Sequence, residues 1–553
     1  MATMRLRSLL QLTQGDLTGS ARAVVRRTKE RRTMTRQKSE SRDKPQGLRK
    51  RAVTPRVASR AGGEATPVDE ASTQLSLFSG TAVAFERSNE RDDVERTQVR
   101  SATSAVPKPS NRGKQESVRS MDEVIERLES SFSKVGRNRG APGPDGQSIS
   151  MMRECQSTWL PMLKSALATG TYTPGDIRRV WIPKSSGGER GLGIPNVIDR
   201  VVQEAVRQVL EPVYEPTFHT SSHGFRPGKS CHTAVAEAVS HVSAGYEWVV
   251  DIDLEKFFDR VHHQRLMSRL AEAITDKRLL VLIGRMLKAK VVMPDGVVVS
   301  VDEGVPQGGP LSPLLSNIVL SELDSELARR GHRFVRYADD CNVYVQSERA
   351  GMRVMASLKQ FIERRLRLKV NEAKSAVARP EKRHFVGFRV RREPLEGEVE
   401  VLLSTRSKER ICERLVELVP RNWGSSLDAC IARLNAYLAG WLNFFGICTN
   451  EARTFDTLDA HIRRRLRAVQ LRHWKQKKTI VRKLIALGIR AKTVRRSVIE
   501  GRKSFWAMSH TSAVDRGLPN SHWDARGLYS IGRAWRQMRE QVALPAQLTL
   551  RLE

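Results

Sequence analysis

The stretch Arg336–Val345, RYADDCNVYV, sets two adjacent carboxylates, Asp339 and Asp340, between two short apolar runs. β-Branched and aromatic runs of this length, interrupted by an acidic pair, read as two strands joined by a tight turn. A turn alone also favours Asp, so either acid taken singly has an ordinary structural explanation. The rest of the chain makes the pair harder to dismiss. Over 553 residues Lys and Arg total 95 against 61 Asp and Glu, a formal net charge of +34.

An excess of that size, with a pI near 10.5, implies a polyanionic partner, nucleic acid being the commonest. A membrane surface is the competing partner. However, no apolar run approaches the roughly 18 residues of a spanning helix, and the opening MATMRLRSLLQLTQG has too short an apolar core for a secretion signal. A cytoplasmic protein without a membrane partner is expected. Cys155, Cys231, Cys341, Cys412, Cys430 and Cys448 are scattered without a C-x-x-C pair, so neither a zinc site nor a redox couple is expected of them.

Residues 1–118 are rich in Arg, Lys, Ser, Thr and Gly, with little apolar periodicity. Such a segment buries too little surface to offset its ordering entropy, which predicts a disordered basic tail. Within it Gln74–Phe78, QLSLF, is a compact apolar cluster in polar surroundings. From Ser120 the texture changes: MDEVIERLESSF places Met121, Val124, Ile125, Leu128 and Phe132 on one helical face behind Ser120 as N-cap. Helical patterns alternate with strand-like runs to about residue 390 and are almost unbroken after 405, which predicts an α+β core followed by a helical domain.

Two further segments bear on the acidic pair. EWVVDIDLEKFFDRV reads as a strand with Val249, Asp251 and Asp253 on one face and Val250, Ile252 and Leu254 on the other. A carboxylate at a buried strand end is costly unless a cation or donor meets it. GVPQGGPLSPLLSNIVLSELDSELARRG is a Gly- and Pro-rich loop that gives way to an amphipathic helix ending before Gly331, and such a loop lets backbone approach a ligand closely. An Asp pair on a hairpin plus an Asp at a second strand end is a set of hard oxygen donors suited to two Mg²⁺ ions. Two such ions support the chemistry of nucleotide addition. Spacing alone leaves Asp251 and Asp253 as alternatives.

Y-A-D-D on a hairpin, preceded by P-Q-G-G-P-L-S-P-L-L-S-N and by D-x-x-x-x-F-D, resembles the palm of a reverse transcriptase of the bacterial group II intron-encoded family. NRGAPGPDG (138–146), WIPKSSGGERGLGIPNVIDRVVQ (181–203), SSHGFRPGKSCHTA (221–234), LRLKVNEAKS (366–375) and HFVGFRV (384–390) extend the resemblance in order over roughly residues 121–540. It implies a right-hand polymerase fold: fingers over 119–245, palm over 246–395, an α-helical thumb or maturase X domain over 396–480, and a small DNA-binding extension over 481–553. It also implies roles for individual residues. Asp253, Asp339 and, less directly, Asp340 would be catalytic and hold the metals, the family's aromatic five residues on falling at Phe258. Lys184 and Arg190 would grip the triphosphate, Phe258 would exclude a 2′-hydroxyl, and Gln307 and Ala338 would contact the incoming deoxynucleotide. Phe385, Gly387, Phe388 and Lys374 would lie near primer and template; Arg226 matches a family block without an assigned role.

LNAYLAGWLNFFG (434–446) resembles the X domain, and the basic run after it brings Arg463, Arg464, Arg465, Arg467, Trp474 and Lys475 as RNA-binding candidates. GRKSFWAMSHTSAV and LPNSHWDARGLYSIG resemble the family's DNA-binding extension, with no Cys- and His-containing endonuclease domain expected after them. Gln74, Leu75, Leu77 and Phe78 resemble the peptide by which bacterial proteins dock on the replicative sliding clamp, a route to a primer at a replication fork. The expected activity is RNA-directed DNA polymerisation and splicing of a mobile group II intron, with intron RNA, target DNA and deoxynucleoside triphosphates as partners and the oligomeric state left open. The competing readings are a domesticated or defence-associated reverse transcriptase of intron ancestry, and a splicing factor without polymerase activity.

Overall fold

The apolar runs that flank the acidic pair form antiparallel strands in the computed structural model, with Tyr337 opposite Asp340 across a two-residue turn. The structure describes residues 120–183, 188–395, 397–501 and 504–549, all within one compact unit that spans 79–553. The basic tail with Gln74–Phe78, and Lys184, lie outside the described residues. In chain order the strands are β1 (Ile177–Pro183), β2 (Glu189–Ile194), β3 (Trp248–Ile252), β4 (Val291–Val292), β5 (Val298–Val299), β6 (Arg333–Tyr337), β7 (Asp340–Val345), β8 (Ala376–Ala378), β9 (Phe388–Arg392) and β10 (Val399–Leu403). They make an antiparallel sheet β6-β7-β3-β8, a second sheet β2-β1-β4-β5 in which β1 and β4 run parallel, and the hairpin β9-β10.

Side-chain alternation along the first sheet decides the layers. Val250 and Ile252 of β3, Phe334 of β6 and Val343 of β7 enter a core shared with the helices Met121–Glu126, Val197–Tyr214 and Ser312–Arg329. Val249, Val335 and Tyr344 enter a second core with the helix Cys231–Ser243, β9, β10 and the C-terminal helices. Burying each such side chain contributes about 1.5–3 kcal/mol. A one-residue slip of β3 or β7 would also drive Asp251 or Asn342 into the first core, so the register is fixed from both sides.

The helical expectations hold at the ends and are adjusted between them. Ser120 accepts the Glu123 N–H at 3.4 Å, and Met121, Val124, Leu128 and Phe132 are buried, but the helix breaks at Arg127 and resumes as Leu128–Arg137. Ser312–Arg329 ends before Gly331 as expected. Its first half is buried nearly all round rather than amphipathic, because it runs between β6 and the helices Val197–Tyr214 and His263–Ala271. Beyond Leu403 every described element is a helix. Among the described residues no helix is long and apolar enough to cross a membrane.

Candidate active site

The turn between β6 and β7 is under constraint. Ala338 has φ +56°, a left-handed conformation disfavoured for a residue with a Cβ, and it holds there because three segments meet it. The Ala338 carbonyl accepts Arg336 Nη1 at 2.8 Å. Gly224 lies against the turn so closely that an added Cβ would fall 2.2 Å from the Ala338 nitrogen. The Gly224 carbonyl in turn accepts Asn317 Nδ2 at 2.8 Å.

β3 is the hydrogen-bonded neighbour of β7, with Ile252 opposite Cys341, which places Asp253 just beyond the strand end and beside the acidic turn. Its backbone N–H donates to Ser375 Oγ at 2.9 Å and its carbonyl accepts the Asn371 N–H at 2.8 Å. The side chain is differently placed. Asp253 Oδ2 is a buried oxygen without a hydrogen-bond partner among the described residues, its nearest cation being Lys374 Nζ at 3.5 Å. Asp251 is instead occupied, accepting Arg383 Nε on Oδ2 at 2.7 Å. The two acids thus differ in their partners: Asp251 is held by the Arg383 guanidinium through a hydrogen bond, whereas Asp253 Oδ2 accepts none and meets only the Lys374 ammonium at 3.5 Å.

The electrostatics point the same way. Burial raises the Asp339 carboxyl above its ordinary range, and the charge of Asp253 adds to this against the pull of Arg190 and Arg336. Although the Asp340 side chain reaches solvent, the protein packed around it and then the charges of Asp339, Asp251 and Asp253 push its pKa up to about 7. Carboxylates that raise one another in this way create a site in which a cation is favoured. Among the described residues no three His, Cys, Asp or Glu side chains close into a ready-made ion cage. The orphaned Asp253 oxygen and the hard carboxylate donors of Asp339 and Asp340 nevertheless fit a divalent ion.

Arg190 on β2 and Gln307 of the glycine-rich loop meet through a 2.6 Å hydrogen bond. The loop is held there by its backbone. Gly193 N–H donates to the Gln307 carbonyl at 2.7 Å, and Gly308, at φ +118°, leaves only 2.5 Å between a notional Cβ and the Gly193 carbonyl. Two residues earlier in the loop, Val305 N–H donates to the Phe258 carbonyl at 2.6 Å, so the loop ties Phe258 to the same wall. Phe258 and its neighbour Phe257 are both buried and pack edge to face.

Other expected site residues are placed less openly. Phe385 and Phe388 close a tight turn through mutual backbone hydrogen bonds, with Gly387 at φ +100°. Both rings are buried, and Phe388 packs on Phe444 and Phe445, while Val386 and Gly387 between them are half-buried. Arg226 is internally satisfied by Glu215 and the carbonyls of His219 and Ser222. On the helix Ala452–His473, Arg465 is buried and donates to the carbonyls of Val416 and Val419, while Arg467 is held by the Leu518 carbonyl and Asp515. Arg463, Arg464, Trp474 and Lys475 remain at least partly exposed, with the Arg464 guanidinium 4.2 Å from the Trp506 ring centre.

Comparison with known families adds to this geometry. Residues 182–390 match the family model described as reverse transcriptase (RNA-dependent DNA polymerase), and residues 408–485 match that of the group II intron maturase-specific domain. The chain belongs to the group II intron-encoded reverse transcriptase and maturase family. Within reach of this family, the Escherichia coli protein YkfC is 38% identical over 34% of this chain and 50% of its own length. The group II intron-encoded protein LtrA of Lactococcus lactis is 28% identical over 52% of this chain and 63% of its own. The putative COX1/OXI3 intron 1 protein of Saccharomyces cerevisiae is 30% identical over 37% and 24%. The chain therefore spans less than two thirds of the length of each. The Y-A-D-D stretch falls within the first matched span, with Ala338 and Asp339 as the two turn residues between β6 and β7. What the sequence reading missed lies behind that turn: Arg336, Asp324, Asn317 and Gly224.

Proposed function

We propose that this protein is an RNA-directed DNA polymerase and splicing maturase of a mobile group II intron, acting in splicing and in retrohoming. The observation that supports the reading is the meeting of Asp253, whose buried Oδ2 accepts no hydrogen bond among the described residues, with Asp339 and Asp340 across adjacent strands, next to the Arg190–Gln307 pair. In this reading β6-β7-β3-β8 is the palm, the region before it supplies the fingers, and the helices after Leu403 form the thumb or X domain and a DNA-binding extension.

Asp253, Asp339 and Asp340 would hold divalent magnesium, two ions in the family's manner, which when bound supplies activation of a primer 3′-hydroxyl and stabilisation of the leaving pyrophosphate. The chain's own residues bind and orient. Arg190, with Lys184, grips the triphosphate of the incoming deoxynucleotide with charge-assisted hydrogen bonds. Gln307 holds the Arg190 fork, Phe258 would exclude a 2′-hydroxyl, and Ala338 would contact the incoming deoxynucleotide. The Phe385–Phe388 turn, with Gly387, and Lys374 would lie near the primer end and template. Arg463, Arg464 and Lys475 offer cations to intron RNA, and Gln74, Leu75, Leu77 and Phe78 would dock on a sliding clamp.

The reading as a splicing factor without polymerase activity has no observation in its favour at the acidic turn. A separation-of-function assay tests the two activities together. Asp339→Asn should abolish cDNA synthesis while the protein still supports splicing of its intron RNA. Loss of both activities in a folded variant would contradict the assignment of one site to one activity.

A further inference from the structure

Arg336 is 0% exposed and faces the helical side of the sheet, away from the cleft in which Asp251, Asp253 and Asp340 lie. Its guanidinium is completely used. Nε and Nη2 donate to the two oxygens of Asp324 at 2.7 and 2.6 Å, Nη1 to Asn317 Oδ1 at 3.0 Å and to the Ala338 carbonyl at 2.8 Å, and Nη2 also to Ser222 Oγ at 2.6 Å. Asp324 is likewise 0% exposed. Its backbone joins the same knot, since Arg336 N–H donates to the Ser221 carbonyl at 2.9 Å and the Arg336 carbonyl accepts His223 N–H at 2.8 Å.

Stability alone gives a weak reason for such a pair. Desolvating two charges costs about as much as their attraction returns, and well-packed apolar replacements are often as stable or more so. What an apolar pair could not do is donate to the Ala338 carbonyl. That carbonyl belongs to the residue held at φ +56° immediately before Asp339, with Gly224 packed beneath it and fixed by the same Asn317 that Arg336 contacts.

We propose that Arg336, anchored by Asp324, is a positioning residue for the polymerase: by holding the Ala338 carbonyl it fixes the left-handed turn and so the placement of the Asp339 carboxylate. The inference rests on the reading of Asp253, Asp339 and Asp340 as the polymerase site. It assigns catalytic consequence to a buried ion pair on the opposite side of the sheet from the substrate cleft.

The test uses the full-length protein and two variants. Arg336→Met/Asp324→Leu removes both charges together and leaves neither unpaired; Arg336→Lys keeps a charge for Asp324 and loses the fork. Three readouts are taken: thermal unfolding, single-turnover addition of one deoxynucleotide to a primer annealed to an RNA template, and Mn²⁺ binding followed by electron paramagnetic resonance without nucleotide. The expected result is a protein still folded at the assay temperature, with a lowered unfolding temperature because the Ala338 carbonyl and Asn317 Oδ1 lose their donor, near-wild-type primer-template affinity, an approximately 100-fold slower addition step, the scale of a misplaced catalytic group, and weakened Mn²⁺ binding. Wild-type addition rates and Mn²⁺ affinity in a folded variant would overturn the proposal. If the double variant does not fold, Arg336→Lys decides by the same readouts. If the wild type itself adds no nucleotide, the polymerase reading fails separately, and Mn²⁺ affinities equal in wild type and variants would still overturn the positioning role.

Discussion

Arg190 and Gln307, 117 residues apart in sequence, are joined by a 2.6 Å hydrogen bond across the junction of β2 and the glycine-rich loop. An arginine fork held by a neutral amide keeps its full charge for an anion, as a triphosphate grip requires. Gln307→Ala and Arg190→Ala should each raise KM for deoxynucleotide by about tenfold or more, on the scale of one hydrogen bond to a charged group. Because the two act as one unit, the double variant should cost clearly less than the sum of the singles. Steady-state kinetics over deoxynucleotide concentration checks this, and full additivity would contradict it.

Gly224 is the sharpest steric test of the acidic turn. In Gly224→Ala the new Cβ meets the Ala338 backbone, which cannot swing aside as a flexible side chain would, so the turn itself must move. The addition rate should fall by about 100-fold while primer-template affinity, measured by fluorescence anisotropy, stays within about twofold of wild type.

The hairpin was legible because its residues obey local rules: apolar runs of strand length, acids at the turn, and an alternation that the observed register repeats from Tyr337–Asp340 to Arg333–Tyr344. Alternation alone did not separate Asp251 from Asp253, since both fall on one face of β3; only the resemblance, through Phe258, favoured Asp253. That Asp251 is held by Arg383, 132 residues away, while Asp253 meets the more distant Lys374, could not be read from either segment. Arg336 left a trace that could have been followed. It shares a strand face with Phe334 in an apolar run, and an inward cation there demands a buried carboxylate, which the helix Ser312–Arg329 supplies in Asp324. The basic run of the helix Ala452–His473 misled in part, because sequence cannot tell a guanidinium that caps interior carbonyls from one that faces water.

Arg464 and Arg465 separate those two roles. Arg465→Ala leaves the buried carbonyls of Val416 and Val419 without donors and should cost about 3 kcal/mol of stability. Arg464→Ala should leave the unfolding temperature near wild type, weaken RNA binding, and lower the slope of log affinity against log salt by about 1. Filter binding at several salt concentrations with parallel calorimetry would show the split; equal destabilisation of both variants would contradict it.

Glu237 fixes a pH dependence of stability. Burial opposes its ionisation, but hydrogen bonds from His223 and Ser221, with His241 Nε2 3.7 Å away, outweigh burial and hold its carboxyl well below the ordinary range. A depressed folded pKa contributes stability that is fully present above the unfolded value, about 4.3, and is lost as pH falls toward the folded value. Glu237→Gln should therefore cost about 2 kcal/mol at pH 7, and its deficit relative to wild type should shrink progressively below about pH 4. Denaturant unfolding at a series of pH values checks the sign, and a deficit that grows in acid would contradict it.

The central claim is that Asp253, Asp339 and Asp340 form a polymerase site, and extension of a DNA primer on an RNA template with Mg²⁺ tests it most directly. Wild-type protein should extend the primer with deoxynucleotides, while Asp253→Asn and Asp339→Asn, correctly folded and still bound to the primer-template, should give no product. No extension by wild type, or equal extension by Asp339→Asn, would contradict the account.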